Sequence, residues 1–154
     1  MVVPQSESTF ETALARARRK QLLAMLMGRR ASRRLPHLED SVAQPWGQTH
    51  EGTGLVLLRR VVGSVYPSPE YDRDFLPLSD SLRDRWRNLE QVFQYSSFPP
   101  IVVYRIGDSY FVLDGHHRIA IARRWRIDSL EADITRVWSL RPRISKQEAG
   151  STDD

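Results

Sequence analysis

Residues 108–126 read Asp-Ser-Tyr-Phe-Val-Leu-Asp-Gly-His-His-Arg-Ile-Ala-Ile-Ala-Arg-Arg-Trp-Arg, and this stretch decides the fold. Tyr110–Leu113 is a short apolar run, and Asp114-Gly115 is a turn signal. From Arg118 to Arg126 the spacing turns helical, with Ile119, Ala122 and Trp125 on one face. A strand therefore runs directly into a helix, and Asp114, His116, His117 and Arg118 converge at the junction. A helix amino terminus presents unpaired N–H groups and a partial positive charge, which suits a phosphate. Gly115 permits a sharp turn and a close ligand approach. Arg118 has the fork geometry to grip a phosphate. Asp114 would repel a bare anion. It fits as a helix cap, as a partner for a ribose hydroxyl, or as a ligand to Mg²⁺ bridging phosphates. The plainer alternative is a capped helix start with solvated polar residues around it.

Working outward, Leu55–Val62 is an apolar run containing Arg59-Arg60 and reads as a strand. After Gly63-Ser64 comes a polar loop with aromatics, Tyr66–Asp74, whose carboxylates Glu70, Asp72 and Asp74 are candidates for a base or a metal ligand. Ser79–Phe93 has the clearest helical period, with Ser79 or Asp80 as cap and Leu82, Trp86, Leu89 and Phe93 as the buried stripe. Arg83 and Arg87 flank that stripe and are placed to reach a ligand. Ile101–Arg105 resumes as a strand, and Gly107-Asp108 turns the chain into Tyr110–Leu113 as a hairpin. Leu130–Val137 alternates apolar and polar residues like a half-buried strand. The expected fold is α+β: a small mixed sheet of about four strands with packed helices, plus an N-terminal basic amphipathic helix.

Phe111–Ala122, with Ile127–Thr135 after it and Val61–Val65, Asp74–Pro77 and Phe98–Tyr104 before it, resembles the ParB/sulfiredoxin superfamily domain over residues 55–138. It is similar in particular to small bacterial ParB-like proteins carrying DGHHR or DGNHR. The resemblance implies a nucleotide (ATP, ADP or CTP) held through its phosphates by Asp114, Gly115, His116, His117 and Arg118, with Mg²⁺ on Asp114. It implies that loop 66–74 faces this turn, making Glu70, Asp72 and His117 the catalytic candidates. Sulfiredoxin chemistry is excluded, because it uses a cysteine in this turn and the chain has no cysteine. Four activities remain: a nucleotide-responsive, DNA-associated partition-type module, a phosphotransferase of the free-serine-kinase type, a metal-dependent nuclease, or a non-catalytic binding protein.

Composition frames this reading. The 154 residues, 40% hydrophobic, suit one domain with extensions. Absence of cysteine also removes disulfides and thiolate zinc sites. No apolar run approaches the ~18 residues of a membrane span and no secretory signal is evident, so a cytoplasmic protein is expected. The net charge is +4. Arg16, Arg18, Arg19, Lys20, Arg29, Arg30, Arg33 and Arg34 place +8 in residues 16–34 without a single acid, leaving −4 elsewhere. Residues 1–34 read as a helix with Phe10, Leu14, Ala17, Leu22, Met25 and Leu26 along one side. Such a helix can neutralise DNA or RNA phosphates, lie on an anionic membrane surface, or pack on the domain or on a second copy in a homodimer. Residues 35–54, broken by Pro36, Pro45, Gly47, Gly52 and Gly54, read as a linker. His37 and His50 read as surface residues. The core is expected to begin at Leu55, and residues 139–154 to form a polar tail.

Overall fold

The computed structural model describes residues 8–28 and 33–142. It is α+β, with a five-stranded mixed sheet in the order β1-β5-β3-β4-β2. The strands are β1 (Val42–Leu57), β2 (Val61–Ser64), β3 (Ile101–Ile106), β4 (Ser109–Asp114) and β5 (Ser129–Pro142). The helices are α1 (Phe10–Leu26), α2 (Leu38–Ser41), α3 (Arg83–Phe93) and α4 (His116–Arg124). β5 runs antiparallel to β1 and parallel to β3. β4 runs antiparallel to β3 and parallel to β2. Among the described residues, no helix is long and apolar enough to cross a membrane.

The run Leu55–Val62 does not form one strand. A 3₁₀ turn at Leu58–Arg60 divides it between β1 and β2, which lie at opposite edges of the sheet. Only three residues join them, so the sheet curls until its edges lie within about 14 Å at this corner. Leu58 is buried there, and its N–H donates to the Asp128 carbonyl at 2.8 Å. The buried leucine drives the turn while Arg59 and Arg60 stay in solvent.

The linker expected over residues 35–54 is largely the strand β1, paired with β5 from Val42 to Leu57. Pro45 and the glycines interrupt the hydrophobic pattern without breaking the strand. An edge strand tolerates proline and absorbs irregularity as bulges. The register indeed shifts between Pro45 and Gly47 and between His50 and Gly52. Beyond the core this ribbon is stitched by surface contacts. Trp46 stacks on Trp138 at 5.9 Å, Trp138 Nε1 donates to Thr49 at 2.9 Å, and His50 pairs with Asp133 at 2.5 Å. The expected polar tail begins later than Ser139, because β5 continues to Pro142. Residues 143–154 lie outside the described residues.

The core does not begin at Leu55. Phe10, Ala13, Leu14 and Ala17 of α1 are buried in the same cluster as Trp86, Val103 and Ile119. Phe10 meets Trp86 edge to face at 5.6 Å. Glu90, itself buried, fixes the start of α1 by accepting from Ser8 Oγ at 2.8 Å and from the Thr9 N–H at 3.1 Å. Beyond Ala17 the buried stripe shrinks to Ala24. Leu22, Met25 and Leu26, expected to continue it, are 57%, 48% and 76% exposed. α3 follows the sequence reading closely, with a 3₁₀ turn at Asp80–Leu82 and Trp86 fully buried.

Candidate functional site at the amino end of helix α4

β4 delivers Asp114 to the edge of the sheet and Gly115 swings the chain into α4. Gly115 has φ +115°, and a Cβ there would sit 2.5 Å from the Ile101 side chain. Both facts demand glycine. Gly115 is the cap position, and no side chain caps the helix. The first backbone bond of α4 runs from the Ile119 N–H to the Gly115 carbonyl at 3.0 Å. The amides of His116, His117 and Arg118 precede it and are the open donors of the helix end.

Asp114, expected among other roles as a cap, does not cap. It is exposed, and its carboxylate accepts from Arg118 at 2.8 Å across one helical turn. Arg118 also donates to the carbonyls of Pro99 at 3.2 Å and Pro100 at 2.6 Å. Its side chain is only 17% exposed. The guanidinium expected to hold phosphate is thus engaged in tying the Pro99-Pro100 turn to α4.

The two histidines are set by different partners. His116 Nε2 lies 2.8 Å from Ser64 Oγ, whose hydroxyl also reaches the Val112 carbonyl at 3.3 Å. Ser64 has one proton, and giving it to Val112 makes His116 Nε2 the donor. Burial lowers the His116 pKa against the opposing pull of Asp114. His117 Nδ1 is hydrogen-bonded to the buried Tyr71 hydroxyl. Burial first, then Arg85, His116 and Arg118, push the His117 pKa down to about 4. Burial and Glu70 raise that of Tyr71, so the phenol keeps its proton and donates to Nδ1. Neutral His117 then carries its own proton on Nε2 and can donate it to an anion.

Loop 66–74 does approach this turn, through Tyr71. Its carboxylates divide. Asp72 is fully buried, accepting from Arg33 at 2.6 Å, from the Asp74 N–H at 2.8 Å and from the Leu76 N–H at 3.0 Å. These bonds make it the knot of the loop and leave it no solvent-facing oxygen to act as a base. Asp74 accepts from Lys20 at 2.8 Å and Arg33 at 2.7 Å. Burial works to raise its pKa, but the bonds from Lys20 and Arg33 prevail and bring it down to about 2. Glu70 is exposed. Among the described residues, no group of three or more His, Asp or Glu side chains could hold a metal ion. Asp114 would therefore hold Mg²⁺ without a three-residue protein cage, which this ion commonly does without.

Sequence reasoning missed Ser64, Tyr71 and Arg85. Arg83 and Arg87, expected to reach a ligand, instead pair with Glu11 at 2.5 Å and 3.4 Å. Arg85 points from another face of α3, is exposed, and acts on both Tyr71 and His117. It enters no ion pair among the described residues. The helical wheel held the clue. Arg83 and Arg87 share a face, and Arg85 lies about 200° from Arg83.

The basic segment is less available than its sequence implies. Arg18 pairs with Asp80 at 3.2 Å, Lys20 with Asp74 at 2.8 Å, Arg33 with Asp72 at 2.6 Å and Arg34 with Asp40 at 2.9 Å. Arg16 and Arg19 are exposed and without acidic partners among the described residues. Arg29 and Arg30 lie outside the described residues. Comparison with protein-family models, with curated proteins and with solved structures returns no match.

Proposed function

We propose that this chain is a ParB-like nucleotide-binding protein, taking nucleotide phosphates at the amino end of α4. The observation that carries the reading is the uncapped helix start at Gly115, with His117 held neutral in its first turn and Arg85 close enough to act on that ring. Backbone donors, the His117 Nε2 proton and the Arg85 charge form an anion site without a lysine or a P-loop. Arg118 acts in it as a positioning residue, holding Asp114 and the Pro99-Pro100 turn. Asp114 remains the carboxylate for Mg²⁺ or a ribose hydroxyl.

A second reading, phosphoryl transfer to a small alcohol, is favoured by Glu70. It is an exposed carboxylate close enough to act on Tyr71 and hence near the same turn. In such a reaction Glu70 would take the proton of the acceptor hydroxyl while the helix end and Arg85 hold the transferred group. Association with DNA or RNA through α1 would rest on Arg16 and Arg19, since the other described cations of that segment are paired.

Calorimetric titration with ATP, ADP and CTP, with and without Mg²⁺, tests the reading. Arg85→Gln is expected to weaken binding by about tenfold, as loss of one charged hydrogen bond does. Wild-type protein that binds none of the three would refute it. Phosphate released or transferred only when a small alcohol is added would favour the second reading.

A further inference from the structure

The opposite end of α4 carries charge that the nucleotide reading does not use. Arg123 and Arg124 close the helix, and Arg126 follows two residues on. With Arg16, Thr9 and Thr12 of the α1 region they line a cavity of about 260 Å³. The same three arginines also line a neighbouring cleft of about 670 Å³, whose further walls are Leu57, Leu58 and Ile127, with Arg59 and one acid, Asp128.

Cations at a helix carboxyl end complement its dipole, and Arg123 does that work. It donates to the carbonyls of Leu58 at 2.8 Å and Val61 at 3.1 Å and lies over the Phe75 ring at 4.9 Å. Arg124 is different. Its Nε, like that of Arg123, is buried without a hydrogen-bond partner, but Arg124 has no carbonyl to donate to and enters no ion pair among the described residues. Arg126 adopts φ +57°, the left-handed conformation that a glycine or asparagine takes more cheaply at a helix end. The carboxylates acting on Arg124 from nearby, Asp74 and Asp72, are already held by Arg33 and Lys20. Burial and the neighbouring Arg16 both work against the charge on Arg124. Four like charges thus line the smaller cavity, and no acid is among its lining residues.

We propose that this cluster binds a small organic phosphate, the phosphate lying between Arg16, Arg124 and Arg126 and the organic body along Leu57, Leu58 and Ile127. Fork-shaped guanidinium groups match phosphate oxygens, and Thr9 and Thr12 add hydroxyl donors. The smaller cavity is polar and takes the anion. The larger one offers an apolar wall of limited length, which suits a compact molecule over a polymer.

Titration of the full chain with phenyl phosphate and with inorganic phosphate tests this, with amide chemical shifts locating the site. Phenyl phosphate is expected to bind more tightly than inorganic phosphate and to move the amides of residues 123–128. Arg16→Gln/Arg126→Gln, both at exposed positions, is expected to weaken phenyl phosphate binding at least tenfold. Arg124→Met is expected to keep or raise the melting temperature without ligand and to lose the ligand-induced rise. Any one of three results overturns the proposal: equal affinity in the double variant, shifts confined to residues 115–118, or a single-stranded oligonucleotide that occupies the cluster where phenyl phosphate does not.

Discussion

The two ends of α4 handle charge in opposite ways. At the amino end the side chains satisfy one another: Arg118 is spent on two proline carbonyls and Asp114, and His117 on Tyr71. What stays open there is chiefly backbone, with the second ring nitrogen of His117 beside it. At the carboxyl end the backbone closes in regular fashion, with the Trp125 and Ile127 amides bonded back to Ile121 and Ala122. What stays open there is side-chain charge, on Arg124 and its neighbours. A conspicuous motif can thus be chiefly architecture around a few amides, while an unremarkable Arg-Arg-Trp-Arg run holds the unanswered charge.

Both ends of α4 belong to one cooperative body, built on a shared core cluster. Deleting residues 1–34 tests that most severely. It removes Phe10, Ala13, Leu14 and Ala17 from the core and Arg33 from the buried Asp72. Loss of a buried Phe alone costs about 3–5 kcal/mol, a large share of a typical 5–15 kcal/mol stability. The truncated chain is expected to show no cooperative thermal transition, and a sharp transition near that of the full chain would separate the two ends into independent units. Gly115→Ala comes next. It places a Cβ 2.5 Å from Ile101 at φ +115°, with an expected cost of about 3 kcal/mol in urea unfolding. A neutral result would mean that the turn has an alternative conformation.

Arg118→Ala sharpens the contrast further. If the side chain is a strut, stability falls by about 2 kcal/mol even without ligand. A variant as stable as wild type but deficient in nucleotide binding would return Arg118 to direct phosphate contact. The smallest effect is a pH dependence. His117 titrates near 6.5 when unfolded and about 4 in the fold, so the unfolded chain binds more protons between these values. Its contribution is present above pH 6.5 and is lost as pH falls toward 4. His117→Phe should therefore narrow the difference in melting temperature between pH 7.5 and pH 4.5, by roughly 4 °C once partial exposure halves the full linkage of about 2.5 kcal/mol. An unaltered difference would show that His117 is not held neutral.

The strand–turn–helix at Asp114–Arg118 and the stripe of α3 were legible because each is local: a period, a glycine and a polar cluster within one turn. β1 was not, because an edge strand is held by its partner's backbone and needs no clean alternation of its own. The division of Leu55–Val62 escaped for a similar reason. Nothing within eight apolar and basic residues shows that Leu58 must be buried beneath Asp128. The destinations of Arg18, Lys20 and Arg33 were invisible because their partner carboxylates lie 62, 54 and 39 residues away in sequence. Arg85 differed from Arg83 and Arg87 only in which face of a helix it occupied.

The pairing of β1 with β5 sets a schedule for synthesis. Leu57 faces Ser129 and Val42 faces Pro142, so β1 leaves the ribosome long before its partner β5 exists. At roughly 5–20 residues per second the gap from residue 57 to residue 129 is about 4–14 s. Through that interval the row of N–H and C=O groups along β1, together with Val56, Leu57 and Trp46, is open to any passing strand. Pro45, Gly47 and Gly52, where the β1–β5 register later shifts, then have a use before folding is complete. They keep the waiting strand from lying flat and pairing with its counterpart on a second nascent chain.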